Sequence, residues 1–238
     1  MPNEATLLDE ELRCKALTIH GLLVEKRGRP SWRQHYDPVS ELVLTFLSQN
    51  TSDVNSHRAF EQLRARYPAW QAVMIAPLQE LADTIRSGGL ADIKAPRIQE
   101  ALRRIQAERG SLTLDFLAAL PLEEAKKWLT SLNGIGPKSA AIVLLFCFGR
   151  PAFPVDTHVF RVGHRLGITS ARISRERAQL VWEALVPGEL YYPLHLNLIR
   201  HGREVCKAAN PQCETCPLQS HCDWHQSRLS EASSDSRL

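Results

Sequence analysis

Three groups of residues in the 238-residue chain carry types and spacings that chemistry can use. The first is the run Leu132-Asn133-Gly134-Ile135-Gly136-Pro137-Lys138-Ser139-Ala140-Ala141. Gly134 and Gly136 permit positive φ and close approach of another group. Pro137 suits the first position of a helix, where its missing N–H costs nothing. The amides at such a helix start have no partner within the helix and can donate to a phosphate oxygen. Ile135 between the glycines anchors the turn in a core. Lys138 lies where the helix dipole disfavours a cation, and the apolar stretch Ala140–Phe146 behind it forms a low-dielectric wall. Both effects lower a lysine pKa from its ordinary ~10.4, and the neutral amine is the form that attacks an electrophilic carbon. A Gly-x-Gly turn by itself is also an ordinary corner between two helices.

The second group is Val155-Asp156-Thr157-His158-Val159-Phe160-Arg161. Asp156 reads equally well as the N-cap of a helix starting at Thr157 and as a carboxylate facing the same cleft as Lys138. The third is Cys206-x6-Cys213-x2-Cys216-x5-Cys222, four of the six cysteines within seventeen residues. Without a secretory signal, metal binding is the better reading of such a loop than disulfide bonding. Four thiolates suit a structural zinc or an iron–sulfur cluster, and ligand chemistry leaves that choice open. Cys14 and Cys147 sit in apolar helical contexts and read as core.

The elements that must position these groups read as helices. Apolar residues recur at helical spacing in 7–26 (Leu12, Ala16, Ile19, Leu22, Leu23) and in 38–48 (Val39, Leu42, Val43, Phe46, Leu47). Similar patterns occupy 54–67, 77–87, 96–106, 114–119, 122–132, 137–148, 157–166, 181–185 and 194–203, with glycine and proline between them. No window alternates with a period of two, so the expected class is all-α. Residues 226–238, Ser-rich and charged, are expected to be disordered. Hydrophobic residues at 44% and charged residues at 23% match a globular protein. The longest apolar run, 140–148, is far short of the ~20 residues that span a bilayer. A net charge of +3 permits nucleic-acid binding without indicating it. Only seven lysines stand against 22 arginines, so each lysine is worth locating. The start Met1-Pro2-Asn3-Glu4 lacks a basic region followed by an apolar one, and a cytoplasmic protein without membrane association is expected.

In order and separation, the motifs Leu-x-Gly-Ile-Gly-x-Lys-x-Ala, Val-Asp-Thr-His-x-x-Arg and C-x6-C-x2-C-x5-C resemble the endonuclease III family of DNA base-excision glycosylases, in the helix-hairpin-helix superfamily. The match runs from about residue 7 to 224. The resemblance implies two helical domains flanking a DNA-binding cleft. One is a helical barrel with the hairpin, at 30–150; the other, 1–29 plus 151–225, carries a [4Fe–4S] cluster on Cys206, Cys213, Cys216 and Cys222. The family decides for iron–sulfur over zinc. It also implies roles: Lys138 as nucleophile and Asp156 as the carboxylate that assists base departure. Gln49 fills the gap left by a flipped nucleotide, Leu90 is the wedge entering the opposite strand, and His158 contacts DNA together with Gly134, Ile135 and Gly136. The chain departs from the family pattern at Arg86-Ser87-Gly88-Gly89, at Ala91 after the wedge, and between Cys206 and Cys213, where Lys207 is the one basic residue.

The function expected from the resemblance is removal of oxidised pyrimidines from duplex DNA, with strand cleavage at abasic sites by β-elimination through a lysine Schiff base, by a monomer. Two rivals are weighed. A monofunctional adenine-type glycosylase lacks the lysine at 138 and usually adds a C-terminal domain. A non-catalytic hairpin module that only grips phosphate has no use for the Lys138–Asp156 pair.

Overall fold

A computed structural model of the chain describes residues 4–170 and 172–235. Among them every regular element is helical and no strand occurs, as the apolar spacing predicts. In order these are α1 (Glu4–Arg27), α2 (Pro38–Leu47), α3 (Asp53–Arg66), α4 (Trp70–Ile75), α5 (Leu78–Thr84) and α6 (Ala91–Arg109). Then come α7 (Leu122–Thr130), α8 (Pro137–Phe148), α9 (Thr157–Arg165), α10 (Arg175–Leu185), α11 (Tyr191–Glu204) and α12 (Asp223–Asp235). None of the described helices is long and apolar enough to cross a membrane. The chain divides into two compact units, Arg33–Arg150 and Met1–Trp32 with Pro151–Leu238.

The 33–150 unit is built around α2, every residue of which is buried. Asp37 caps its start by accepting from the backbone N–H groups of Val39 and Ser40 at 3.1 and 3.0 Å, and Pro38 opens the first turn. α2 packs against α3, α6 and α8. In the other unit, Ala16, Ile19 and Leu23 of α1 form a buried stripe at helical spacing, and α11 packs against α1 and α9. Phe153 stacks on Trp182 and meets Tyr191 edge-on, with ring centroids 5.5 and 5.3 Å apart.

The boundaries differ from the apolar pattern at four places. α6 starts at Ala91, not Pro96, and Pro96 lies inside it; the buried Lys94 in its first turn ties it to Leu47 O and Gly88 O. α4 was not expected, because six residues are too few to show a period. α10 begins at Arg175, where the hydroxyl of Ser174 accepts from the Arg177 N–H at 3.2 Å. Residues 226–235, expected to be disordered, continue α12. Trp224 anchors that helix between the guanidinium groups of Arg165 and Arg228, at 4.6 and 4.8 Å from its ring. Ser227 and Ser230 donate back to Trp224 O and Ser227 O. Residues 236–238 of that expected tail lie outside the described residues.

Glu41 is a carboxyl in the middle of the buried helix α2. Burial pushes its pKa up to about 7, against the opposing charges of Lys138 and His57. The folded chain therefore keeps a proton that the unfolded chain releases near pH ~4.3, and stability falls as pH rises from there to about 7. Glu41→Gln removes this dependence. The stability difference between Glu41→Gln and wild type, from urea unfolding, is expected to grow in favour of the variant across that window by at most ~1.4 kcal/mol per pH unit.

Candidate active site

The turn between α7 and α8 is fixed by several independent constraints. Leu132 and Ile135 are buried, and Ile135 N donates to Leu132 O at 3.0 Å. Gly134 has φ +89°, and a Cβ there would lie 2.8 Å from Arg97 Cδ. Glycine is required twice over at 134, by backbone and by contact. The Gly134 carbonyl accepts from Gln49 Nε2 at 2.8 Å, which ties the hairpin to the end of α2. Gly136 is different. Its φ of −96° is ordinary, and a Cβ would meet nothing within 4 Å. It is exposed at the start of α8, and no side chain caps that start. Nothing inside the protein demands glycine at 136. Lys138 is the second residue of α8, half-buried, and Ala140, Ala141, Val143, Leu144 and Leu145 behind it are buried. The Coulomb interaction of Lys138 with Glu41 was invisible in the sequence, because it joins residues about a hundred positions apart.

Beside the hairpin, Gln49 is half-buried, and the next residue, Asn50, is exposed in the left-handed region at φ +51°. Asparagine tolerates that conformation better than most residues. Leu90 is also left-handed (φ +52°), follows Gly89 at φ +71°, and is 48% exposed. An exposed leucine in that region is unusual. Lys94, one turn further on, is 1% exposed. Its ammonium donates to Leu47 O at 2.6 Å and to Gly88 O at 2.9 Å. The sequence singled out lysines as worth locating, but the distant carbonyls that fix this one leave no local signal.

Asp156, His158 and the four cysteines belong to the other unit. Asp156 does cap α9: Oδ1 accepts from Val159 N at 2.7 Å. Arg161 Nη2 donates to Gly202 O at 2.8 Å and lies 3.1 Å from His158 Nδ1. A guanidinium can only donate, so Nδ1 is the acceptor in this contact, which leaves Nε2 as the ring's donor. Gly202 leaves room for this arrangement, since a Cβ would lie 2.9 Å from His158 Cβ.

Cys206, Cys213, Cys216 and Cys222 line one pocket with Val162, Leu166 and His201, and none is in a disulfide. Burial pushes the Cys216 thiol up to about 11, and Cys222 is raised for the same reason. The backbone N–H of Leu218 donates to Cys216, and those of His225 and Trp224 to Cys222. Arg165 Nη1 lies 3.4 Å from Cys206 Sγ and donates to Lys207 O at 2.7 Å. Arg161 Nε donates to Cys206 O at 3.1 Å. Half-buried sulfurs supplied with N–H donors fit thiolates that a cationic centre holds ionised. Among the described residues no group of three or more His, Cys, Asp or Glu side chains is arranged to hold a single metal ion. Four thiols gathered in one pocket are a donor set that suits either a zinc ion or an iron–sulfur cluster.

Residues 43–187 match the family described as HhH-GPD superfamily base excision DNA repair protein. Endonuclease III of Thermotoga maritima is 36% identical over 199 residues, covering 84% of this chain and 89% of that protein. An Arabidopsis thaliana protein described as a DNA glycosylase is 39% identical over 186 residues, 74% of this chain; the match spans 64% of its length. A solved non-covalent endonuclease III–DNA complex superposes with a TM-score of 0.79 at 28% identity, over 92% of this chain and 98% of that one.

The two hairpin glycines should respond differently to alanine. Gly134→Ala is expected to lose about 1–3 kcal/mol of folding stability from the forced left-handed backbone, more if Arg97 cannot move. Gly136→Ala is expected to unfold at the wild-type urea concentration.

Proposed function

The chain belongs to the HhH-GPD superfamily of base excision DNA repair proteins and, within it, to the endonuclease III family of DNA glycosylase/AP lyases; on that premise we propose that it acts as a monomer on duplex DNA carrying oxidised pyrimidines or abasic sites, with Lys138 and Asp156 as its catalytic pair. The observation that carries this reading is Lys138 on the first turn of α8, two residues after an exposed glycine, Gly136, that has no internal reason to be glycine.

A damaged base inside the stack is out of reach, so the nucleotide is extruded at a cost of a few kcal/mol. Gln49 and Leu90 offset that cost by occupying the vacated space. The open start of α8 takes a phosphate on its backbone amides, and Gly136 lets that phosphate approach. His158, with hydrogen on Nε2, donates to a second phosphate. These contacts position the duplex without reading its sequence. The Lys138 amine attacks C1′ as the C1′–N bond breaks and the base leaves with the bonding pair. Asp156 stabilises the positive charge that develops on the sugar. One amine proton is lost from the adduct, and O4′ takes up a proton as the C1′–O4′ bond breaks, which leaves an iminium at C1′ that keeps its other N–H. Removal of a C2′ proton then forms the C2′–C3′ double bond and expels the 3′ phosphate, and water releases Lys138.

Cys206, Cys213, Cys216 and Cys222 would hold a [4Fe–4S] cluster. When bound it supplies a cross-link that shapes the loop over 206–222, and it takes no part in the cleavage. Cys216→Ser is expected to yield protein without the brown colour and without bound iron, melting several degrees lower. Colourless wild-type protein with bound zinc would replace the cluster by zinc.

The decisive test of the activity is a single-turnover nicking assay on a thymine glycol duplex and on an abasic duplex, with borohydride present. Wild type is expected to cut both and to form a trapped adduct. Lys138→Gln should form none; an adduct of unchanged yield would remove Lys138 as nucleophile. Asp156→Asn keeps the cap, because asparagine serves that position as well as aspartate, yet should lose base excision by about 10²-fold or more. Gly136→Ala should bind duplex more weakly while remaining folded. Cutting of the abasic duplex alone would reduce the activity to a lyase, and no product from protein that binds DNA would make it a binding module.

A further inference from the structure

Lys94 is among the largest fully buried side chains of the protein, and no part of the mechanism above uses it. Its amine has no carboxylate partner among the described salt bridges. Burial alone pulls its pKa down, to about 8. Its two hydrogen-bond acceptors are both main-chain carbonyls, Leu47 O and Gly88 O. Burying an amine is costly where leucine or methionine would fill the same space without charge.

What the amine joins explains its presence. Leu47 ends α2, two residues before Gln49; Gly88 ends a one-turn 3-10 helix, two residues before Leu90. These are the segments that carry the two side chains assigned to the vacated space. Their backbones are already close, since a Cβ on Gly88 would lie 3.7 Å from Leu47 O and 3.1 Å from Ala59 Cβ. Just beyond each carbonyl the backbone enters the left-handed region, at Asn50 on one side and at Gly89 and Leu90 on the other. An exposed leucine holds that conformation only if its surroundings impose it, and the tie on Gly88 O lies immediately before it.

We propose that Lys94 is a positioning residue: by bridging Leu47 O and Gly88 O it fixes Gln49 and Leu90 at one spacing, so that the two side chains enter the duplex as a pair during nucleotide extrusion. This rests on the reading of Gln49 and Leu90 as the residues that occupy the vacated space.

The test compares a step that needs extrusion with one that does not. Lys94→Met keeps the length and apolar stem and deletes the donors. It is expected to lower single-turnover excision from a thymine glycol duplex at least tenfold. Borohydride trapping on a single-stranded abasic oligonucleotide, where nothing is extruded, should stay within twofold of wild type. The fluorescence rise of a 2-aminopurine beside the lesion, which reports unstacking, should fall with the excision rate. Combined with Leu90→Ala, the variant should lose little more than the greater single loss. Parallel loss of duplex excision and single-strand trapping would overturn the proposal, since it marks a general effect on the fold. Unchanged excision would also overturn it. If Gln49→Ala and Leu90→Ala themselves leave excision and fluorescence unchanged, the space-filling reading fails first; if they lower both and Lys94→Met does not, only the positioning role fails. Should Lys94→Met not fold, Gly88→Ala displaces the Gly88 carbonyl by contact with Ala59 while keeping the lysine, and the same split between the two substrates is expected.

Discussion

The carbonyl of Gly134, held by Gln49 Nε2 at 2.8 Å, is the joint on which the hairpin is set. A single hydrogen bond of this kind nets only about 0.5–1.5 kcal/mol, too little to hold a loop by itself. It works because the other constraints agree with it. Burying Ile135 contributes about 1.5–3 kcal/mol, and the left-handed Gly134 turns the chain so that Pro137 can open α8 at once. Lys138 is three residues past Ile135, so its place follows covalently once that side chain is in the core. Lys138 is thus positioned by the packing of its neighbour in the chain.

The same unit holds a carboxyl and an amine in its interior, and burial pushes both towards neutrality. Glu41 is raised and Lys94 lowered, the direction expected when a low dielectric disfavours the charged form. The two differ in what they meet. Lys94 finds two carbonyls at the ends of chain segments, one of which is the end of α2, where the last carbonyls lack partners within the helix. An ammonium satisfies such ends with three donors on one atom; no neutral aliphatic side chain can. Glu41 sits inside α2, where the backbone is already paired, and what it meets instead is the charge of Lys138 and of His57.

What the sequence disclosed was local. The Gly-x-Gly-Pro turn, the Asp156 cap and the cysteine spacing each depend on neighbours within a few residues, so residue types alone expose them. The helices with a clear apolar face were legible for the same reason, α2 and α8 above all. The failures have a common cause in contacts distant along the chain. Proline at 96 masks the first turn of α6, because the fixing interaction comes from Leu47 and Gly88. The α12 helix looked unfoldable by composition, yet Trp224 docks it between two arginines. No local pattern in the sequence marks Lys94 or Glu41 as buried. Asn50 was passed over beside Gln49, since only the backbone shows its left-handed turn.

The helix α9 links the chemistry of its unit to the cysteine loop. It begins with Asp156 at its cap and carries His158 in its first turn. Arg161 and Arg165, one turn apart on the same face, donate to the carbonyls of Cys206, Lys207 and Ala208. Val162, Arg165 and Leu166 line the pocket of the four cysteines. Arg161 also orients His158 through Nδ1. A disturbance of the loop therefore reaches Arg161 first and the His158 tautomer next, while Asp156 is held separately by its own bond to Val159 N. Loss of the loop's order should accordingly weaken what His158 does before it touches what Asp156 does. On the proposed reading, a cluster held by the four cysteines would matter to the reaction through these contacts, without contributing an electron or a proton to it.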